Sequence, residues 1–176
     1  MQSNDALQRA GRVRLMLFDV DGVLTDGRLW YGPAGEELKA FSVLDGHGLK
    51  MLRESGVAVG ILSGRKSAAV AARAAEHGIA EVLQGVDDKR AAFEALLAKA
   101  SLGADAAGYM GDEVVDLPVL RRCGFACAPR EAQALVRTHA HYVAEAPAGA
   151  GAAREVCDFL LRAQGKLESA LARYLA

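Results

Sequence analysis

Two acids, Asp19 and Asp21, stand two residues apart at the end of an apolar run, Leu15 to Phe18, with Gly22 directly after them. Carboxylates at that spacing can hold a hard cation through oxygen and present one oxygen as a nucleophile. The glycine lets the chain turn there. By itself the pattern is also that of a polar turn after a strand. Three groups farther along answer it. Ser63 follows the apolar run 57–62, Lys89 stands in the first turn of a helical stretch, and Asp112 follows the short run 107–111, with Glu113 and Asp116 beyond it. A lysine at a helix start opposes the helix dipole, so Lys89 is either a surface accident or placed to meet negative charge. Two or three carboxylates, one ammonium and one hydroxyl suit a Mg²⁺ ion and a phosphoryl group. That chemistry needs an in-line nucleophile, neutralisation of the equatorial oxygens and a proton for the leaving oxygen.

The elements that would position these groups follow from the hydrophobic pattern. Residues 13–18, 57–62, 79–83, 107–111, 125–128 and 141–143 are short apolar runs that read as strands buried on both faces. Helical stretches alternate with them: 49–55 closed by Gly56, 67–77 closed by Gly78, 88–100, 117–122, a helix opened by Pro129, and 152–163. Alternation of this kind predicts an α/β fold, a doubly wound (Rossmann-like) parallel sheet. In such sheets chemistry sits at the carboxyl ends of the strands, and adjacent strands lie about 4.8 Å apart, so Asp19, Ser63 and Asp112 can converge. Residues 28–41 read as a β-hairpin around a Gly/Pro turn, a flap over the acidic turn. Its Leu29, Trp30, Tyr31, Leu38 and Phe41 would pack either on the molecule's own core or at a subunit contact. Asp45-Gly46-His47-Gly48 is expected to precede a helix, whose free N–H groups could bind an anion. Residues 1–12 read as a loose or marginally helical N-terminal tail and 164–176 as a C-terminal tail, giving one domain over 1–176.

Composition excludes several classes. Net charge is −1 over 176 residues, without a Lys/Arg run, which argues against nucleic acid as a partner. No 18-residue apolar stretch exists to span a membrane, and residues 1–12 lack the apolar segment of a signal peptide. Three cysteines, Cys123, Cys127 and Cys157, fit reduced thiols in a cytoplasmic protein. Neither Cys123/Cys127 nor His139/His141 has the further ligands a zinc site needs, so both pairs read as structural.

Taken together, Asp19-Val-Asp21-Gly22, the strand into Ser63, the helix-borne Lys89 and Gly111-Asp112 with Asp116 resemble the four motifs of the haloacid dehalogenase-like phosphatase superfamily. A closer likeness is to the family of 3-deoxy-D-manno-octulosonate 8-phosphate phosphatases. It rests on residues 19–27, on Phe41-x-Val43-x-Asp45-Gly46-x-Gly48, Ser63-Gly64-Arg65, Asp116-Leu117-Pro118, and on 153–158 with 163–166, and so spans nearly the whole chain. The resemblance implies that Asp19 is the nucleophile, that Asp21 is the general acid and then the base, and that Ser63 and Lys89 stabilise the phosphoryl group. It implies Mg²⁺ held by Asp19, Asp112 and the backbone carbonyl of Asp21, with Glu113 and Asp116 supporting the site. Gly22, Asp45, Gly46, His47, Gly64, Arg65 and Arg154 are candidate substrate contacts; Lys66 and Lys166 are further cations for a sugar-acid carboxylate. It also implies a small phosphorylated sugar acid as substrate, a role in lipopolysaccharide biosynthesis, and a homotetramer. Two positions depart from the family pattern: Glu113 stands where Asp is usual, and Ala150 where the late glycine-rich loop usually carries a polar or basic residue.

Spacing adds one constraint. Asp19 to Ser63 is 44 residues and Ser63 to Lys89 is 26, too short for a separate cap domain. Neighbouring subunits are therefore expected to supply the lid that excludes water. A phosphatase for a nonulosonate 9-phosphate would carry the same catalytic motifs. A phospho-accepting receiver domain would place its aspartate mid-chain and its lysine last, and a non-catalytic oligomerisation module would have no need of four intact motifs.

Overall fold

The computed structural model describes residues 4–175. In chain order the strands are β1 (Leu15–Phe18), β2 (Trp30–Tyr31), β3 (Glu37–Leu38), β4 (Ala58–Leu62), β5 (Glu81–Leu83), β6 (Ala107–Met110), β7 (Phe125–Ala128) and β8 (Tyr142–Val143). Six of them form one sheet of order β5-β4-β1-β6-β7-β8, every pairing parallel. β2 and β3 pair antiparallel as the separate hairpin read from the sequence. β1 is central, and its four side chains are each at most 3% exposed. Met16 and Phe18 face one cluster and Leu15 and Leu17 the other, as strand alternation requires. Burying each contributes about 1.5–3 kcal/mol.

The helices cover both faces. On the Phe18 side lie α1 (Asn4–Ala10), α2 (Val43–Glu54), α3 (Ala68–Glu76) and α7 (Ala152–Ala163). On the Leu17 side lie α4 (Lys89–Ala100), α5 (Leu117–Leu120) and α6 (Ala134–His139). Covering both faces is what lets a parallel sheet consist of continuous apolar strands. The fold is the doubly wound α/β arrangement that the alternation predicts.

Several local expectations are corrected. Residues 4–10 are a helix whose Ala6 and Ala10 are buried in the core that α7 also fills, and the C-terminal segment carries α8 (Leu167–Ala172). Residues 1–3 and 176 lie outside the described residues. Pro129 does not open a helix. Residues 129–132 form a turn, with Ala132 N–H on the Pro129 carbonyl; Gln133 N–H donates to the carbonyl of Asp112 at 3.0 Å, and α6 starts only after it. Gly46 and Gly48 lie inside α2, which is capped earlier by Ser42 accepting from Leu44 and Asp45 N–H. The reason is tertiary. A Cβ at Gly48 would stand 3.0 Å from the Arg154 Cα on α7, and one at Gly46 would meet Arg73 and His77. The glycines let helices approach rather than bind an anion. Cys123 belongs to one core cluster and Cys127 and Cys157 to the other, so the first two face opposite sides of the sheet and share no ligand. His141 Nδ1 accepts from Ala126 N–H, and His139 Nδ1 lies 2.9 Å from the Leu135 carbonyl oxygen. No described helix is long and apolar enough to cross a membrane.

In an open helix, replacing glycine with alanine stabilises by up to about 1 kcal/mol. At Gly48 the sign should reverse. Gly48→Ala is expected to lower stability by about 1–3 kcal/mol through overpacking, read as a lower urea midpoint at unchanged slope.

Candidate active site

Phe18 is level with Ile61 on β4 and Met110 on β6. Asp19, Ser63 and Asp112 therefore leave the sheet at nearly one height, at the carboxyl ends of three adjacent strands. Asp19 N–H still donates to the Met110 carbonyl at 2.9 Å. Lys89 enters from the first turn of α4, where Asp88 caps the helix by accepting from Ala91 N–H. Its ammonium is buried and donates to Asp19 Oδ2 and Asp116 Oδ1, both at 2.7 Å. The lysine that opposed its helix dipole is thus placed to meet two acids.

Asp116 is fully buried, and each of its oxygens has partners. Oδ1 accepts from Lys89 and, at 2.5 Å, from the Tyr109 hydroxyl; Oδ2 accepts from the N–H groups of Asp112 and Glu113 at 3.0 and 3.1 Å. It ties the Asp112 loop to the ammonium. Glu113 turns away to cap the short helix Val114–Asp116, accepting from Val114 N–H at 2.7 Å, so its longer arm serves the loop rather than the acid cluster.

The donor set fits a hard divalent cation. Carboxylate oxygens of Asp19, Asp112 and Asp116 lie within 4.8 Å of one another. Asp116 is already saturated, which leaves Asp19 and Asp112. Asp112 Oδ1 and Asp21 Oδ2 are buried without a hydrogen-bond partner. All donors are oxygen, as Mg²⁺ prefers. Gly22 makes room: its φ is +81°, and a Cβ there would fall 2.1 Å from Asp112 Oδ2. Three clustered carboxylates face one ammonium, and burial together with the excess negative charge raises the pKa of Asp19 and Asp112. Burial, then Asp116, push Asp19 up to about 6 despite the Lys89 contact. Burial and the charges of Asp116 and Asp19 push Asp112 up to about 7. Burial works against the Lys89 charge, but Asp19 and Asp116 outweigh it and raise its pKa.

An open cleft of about 300 Å³ is lined by Asp19, Asp21, Ser63, Gly64, Arg65, Lys89 and Asp112, among others. Other residues read from the sequence as substrate contacts lie apart from it. Asp45 is buried, and its carboxylate accepts from Gly151 and Arg154 N–H at the start of α7. Arg154 Nε bridges both Asp158 oxygens at 2.9 Å. Lys166 donates to the Ser55 carbonyl. His47 packs edge-on to Tyr174, ring centroids 5.4 Å apart. Leu29, Trp30, Tyr31 and Leu38 are exposed on the hairpin, so they do not pack on the molecule's own core, whereas Phe41 does.

Two residues were missed from the sequence. Tyr109 is buried three positions before Asp112, inside the apolar run 107–111, where nothing in the local pattern marks it as part of a site. Lys39 follows β3, and its ammonium is buried against Asp21 and Glu37. Nothing in the local pattern distinguishes it from a solvated hairpin lysine.

No family model matches the chain. The 3-deoxy-D-manno-octulosonate 8-phosphate phosphatase KdsC of Yersinia pestis is 43% identical over 168 residues, 96% of this chain and 90% of that protein. The chain belongs to the 3-deoxy-D-manno-octulosonate 8-phosphate phosphatase family. The family's Moraxella catarrhalis member, solved in complex with magnesium ion, phosphate ion and KDO, superimposes with a TM-score of 0.95 at 38% identity, covering 97% of this chain and 98% of that one. A Legionella pneumophila structure described as a HAD superfamily (subfamily III A) hydrolase gives a TM-score of 0.94 at 39% identity over 98% and 94% of the two chains.

A carboxylate must be ionised to hold the cation. Because the pKa values of Asp19 and Asp112 are raised, Mg²⁺ affinity should fall as pH drops through 7 and 6, by about tenfold per pH unit for each proton displaced. The same shifts act on the metal-free protein. Folded pKa values above the ordinary range of about 4 contribute stability that is complete below pH 4 and lost as pH rises through 6–7. Saturating Mg²⁺ should therefore raise the melting temperature clearly at pH 7.5 and hardly at pH 5. An equal shift at both would exclude these two acids as the ligands.

Proposed function

We propose that the chain is a Mg²⁺-dependent phosphomonoesterase that hydrolyses 3-deoxy-D-manno-octulosonate 8-phosphate through an aspartyl phosphate. The observation that carries this reading is the Lys89 ammonium against Asp19, beside Asp112 at the floor of the cleft. The end-to-end likeness to KdsC supports the sugar acid.

An oxygen of Asp19 attacks phosphorus while the bond to the sugar oxygen breaks, and Asp21 gives the leaving oxygen its proton. Asp21 then takes a proton from the water that attacks phosphorus and releases Asp19. Lys89 and the Ser63 hydroxyl face the phosphoryl oxygens and offset their growing charge. Asp19, Asp112 and the backbone carbonyl of Asp21 would hold Mg²⁺, which neutralises phosphoryl charge and orients the group for in-line displacement. Asp116 and Glu113 set the loop that carries Asp112. Gly22 leaves that carboxylate its place, and Gly64 and Arg65 form the cleft wall. The Arg65 guanidinium, which donates to Glu37 and to the Tyr31 hydroxyl, stands at the cleft mouth, where its remaining N–H groups suit the substrate's carboxylate. Asp45 and Arg154 act at one remove, through the α2–α7 contact, Gly46 through the approach of α2 to Arg73 and His77, and His47 through its packing on Tyr174.

This reading includes a single domain without its own cap, a cytoplasmic setting for three reduced thiols, and a place in lipopolysaccharide synthesis. It also includes a homotetramer. Trp30, Tyr31 and Leu38 on the hairpin, Val43 and Leu44 at the start of α2, and Leu175 near the C-terminus are 54–83% exposed, more apolar surface than a solvated flap needs. Sedimentation velocity should find one species of four chains, and a fully active monomer would refute the assembly.

Phosphate release from the eight-carbon sugar-acid phosphate should require Mg²⁺ and fall to background in Asp19→Asn. The matching nine-carbon nonulosonate 9-phosphate should be turned over with a kcat/KM lower by about tenfold or more. A preference for the nine-carbon ester would reassign the substrate while leaving the chemistry intact.

A further inference from the structure

Lys39 stands just past β3, where a hairpin lysine would ordinarily be solvated. Its side chain is instead 1% exposed. The ammonium donates to Asp21 Oδ1 and lies 3.2 Å from Glu37 Oε1. A buried ammonium is tolerated only where carboxylates meet it, so the position depends on both acids. The two oxygens of Asp21 are thereby made unequal. Oδ1 is tethered to the hairpin. Oδ2 is buried and has no hydrogen-bond donor, with the Arg65 Nε 3.6 Å away. Asp21 itself stands in a turn after β1 and gains this tether from a residue 18 positions later.

We infer that Lys39 is a positioning residue for Asp21: it fixes one carboxylate oxygen so that the other faces the reacting group, and it makes the acid–base complete only when the hairpin is seated. The inference rests on the proposed role of Asp21. In the first step Oδ2–H passes its proton to the sugar oxygen as the bond from phosphorus to that oxygen breaks and the bond to Asp19 forms. In the second, Oδ2 accepts a proton from water as the water–phosphorus bond forms and the bond to Asp19 breaks. One oriented oxygen serves both. A nitrophenolate leaves without needing a proton, so the first step on that ester should not depend on the orientation of Asp21.

That difference gives a readout that a merely structural lysine would not move. The test is rapid-quench and stopped-flow kinetics on Mg²⁺-loaded Lys39→Met with two substrates, 3-deoxy-D-manno-octulosonate 8-phosphate and p-nitrophenyl phosphate. The first-step rate on the sugar ester should fall about 10²-fold, the cost of a misplaced catalytic group. The nitrophenolate burst should keep its rate within about threefold, followed by a slower steady state. Lys39→Arg, which restores a cationic donor, should recover most of the loss. Equal losses on both esters, or no loss, would overturn the inference. If Lys39→Met does not fold, Lys39→Gln removes the charge while keeping a polar end and should show the same contrast at smaller amplitude; its absence there is equally decisive. Wild-type protein that releases no phosphate from either ester would instead overturn the underlying reading, and this inference with it.

Discussion

A buried ammonium between two buried carboxylates fixes the arrangement of this molecule's working end. Lys89 is reached from α4, Asp19 from β1 and Asp116 from the loop after β6, so one charged group joins three segments that are far apart in sequence. Taking these charges out of water is costly, and mutual attraction offsets the cost only when every oxygen and proton finds a partner. Asp116 meets that condition through Lys89, Tyr109 and two backbone N–H groups. Asp112 does not, because one of its oxygens has no protein partner. The surplus of negative charge is thus concentrated at the cleft rather than spread through the interior. There a divalent cation or protons can offset it.

The sheet supplies the precision. Parallel pairing with Phe18, Ile61 and Met110 level brings the polar residues that follow to one height. Both faces of these strands are sealed by helices, so the only direction left for the acids is out of the carboxyl edge. The glycines divide into two kinds of service. Gly22 adopts a positive φ and yields space to a carboxylate, while Gly48 yields space to a neighbouring helix.

How much of this could be read from the residues follows from the range of each interaction. The strands β1, β4 and β6 announce themselves through apolar runs that stop at polar residues, and Lys89 is conspicuous because it sits against its own helix dipole. Local pattern carries those signals. It does not carry the identity of a partner brought in from elsewhere. Gly46 and Gly48 look like a loop before a helix because what they accommodate comes from elsewhere: Arg73 and His77 at Gly46, and the α7 backbone, about a hundred residues away, at Gly48. Pro129 looks like a helix start, but it opens a turn closed by Ala132 N–H on its carbonyl, and Gln133, bonded to the Asp112 carbonyl, delays the helix to α6. Arg154 and Asp45 have the charge of substrate contacts and are occupied by Asp158 and by the α7 N-terminus. Lys39 looks like a surface residue until the hairpin folds over Asp21.

The loop that bears Asp112 is braced by protein groups: the two amides on Asp116, the tyrosine hydroxyl beneath, and the Gln133 amide on the Asp112 carbonyl. Such a loop is a socket whose shape is set before anything is plugged into it. Loading and unloading an ion then requires no refolding of the chain. An ion at that place would come and go as an ordinary reversible equilibrium.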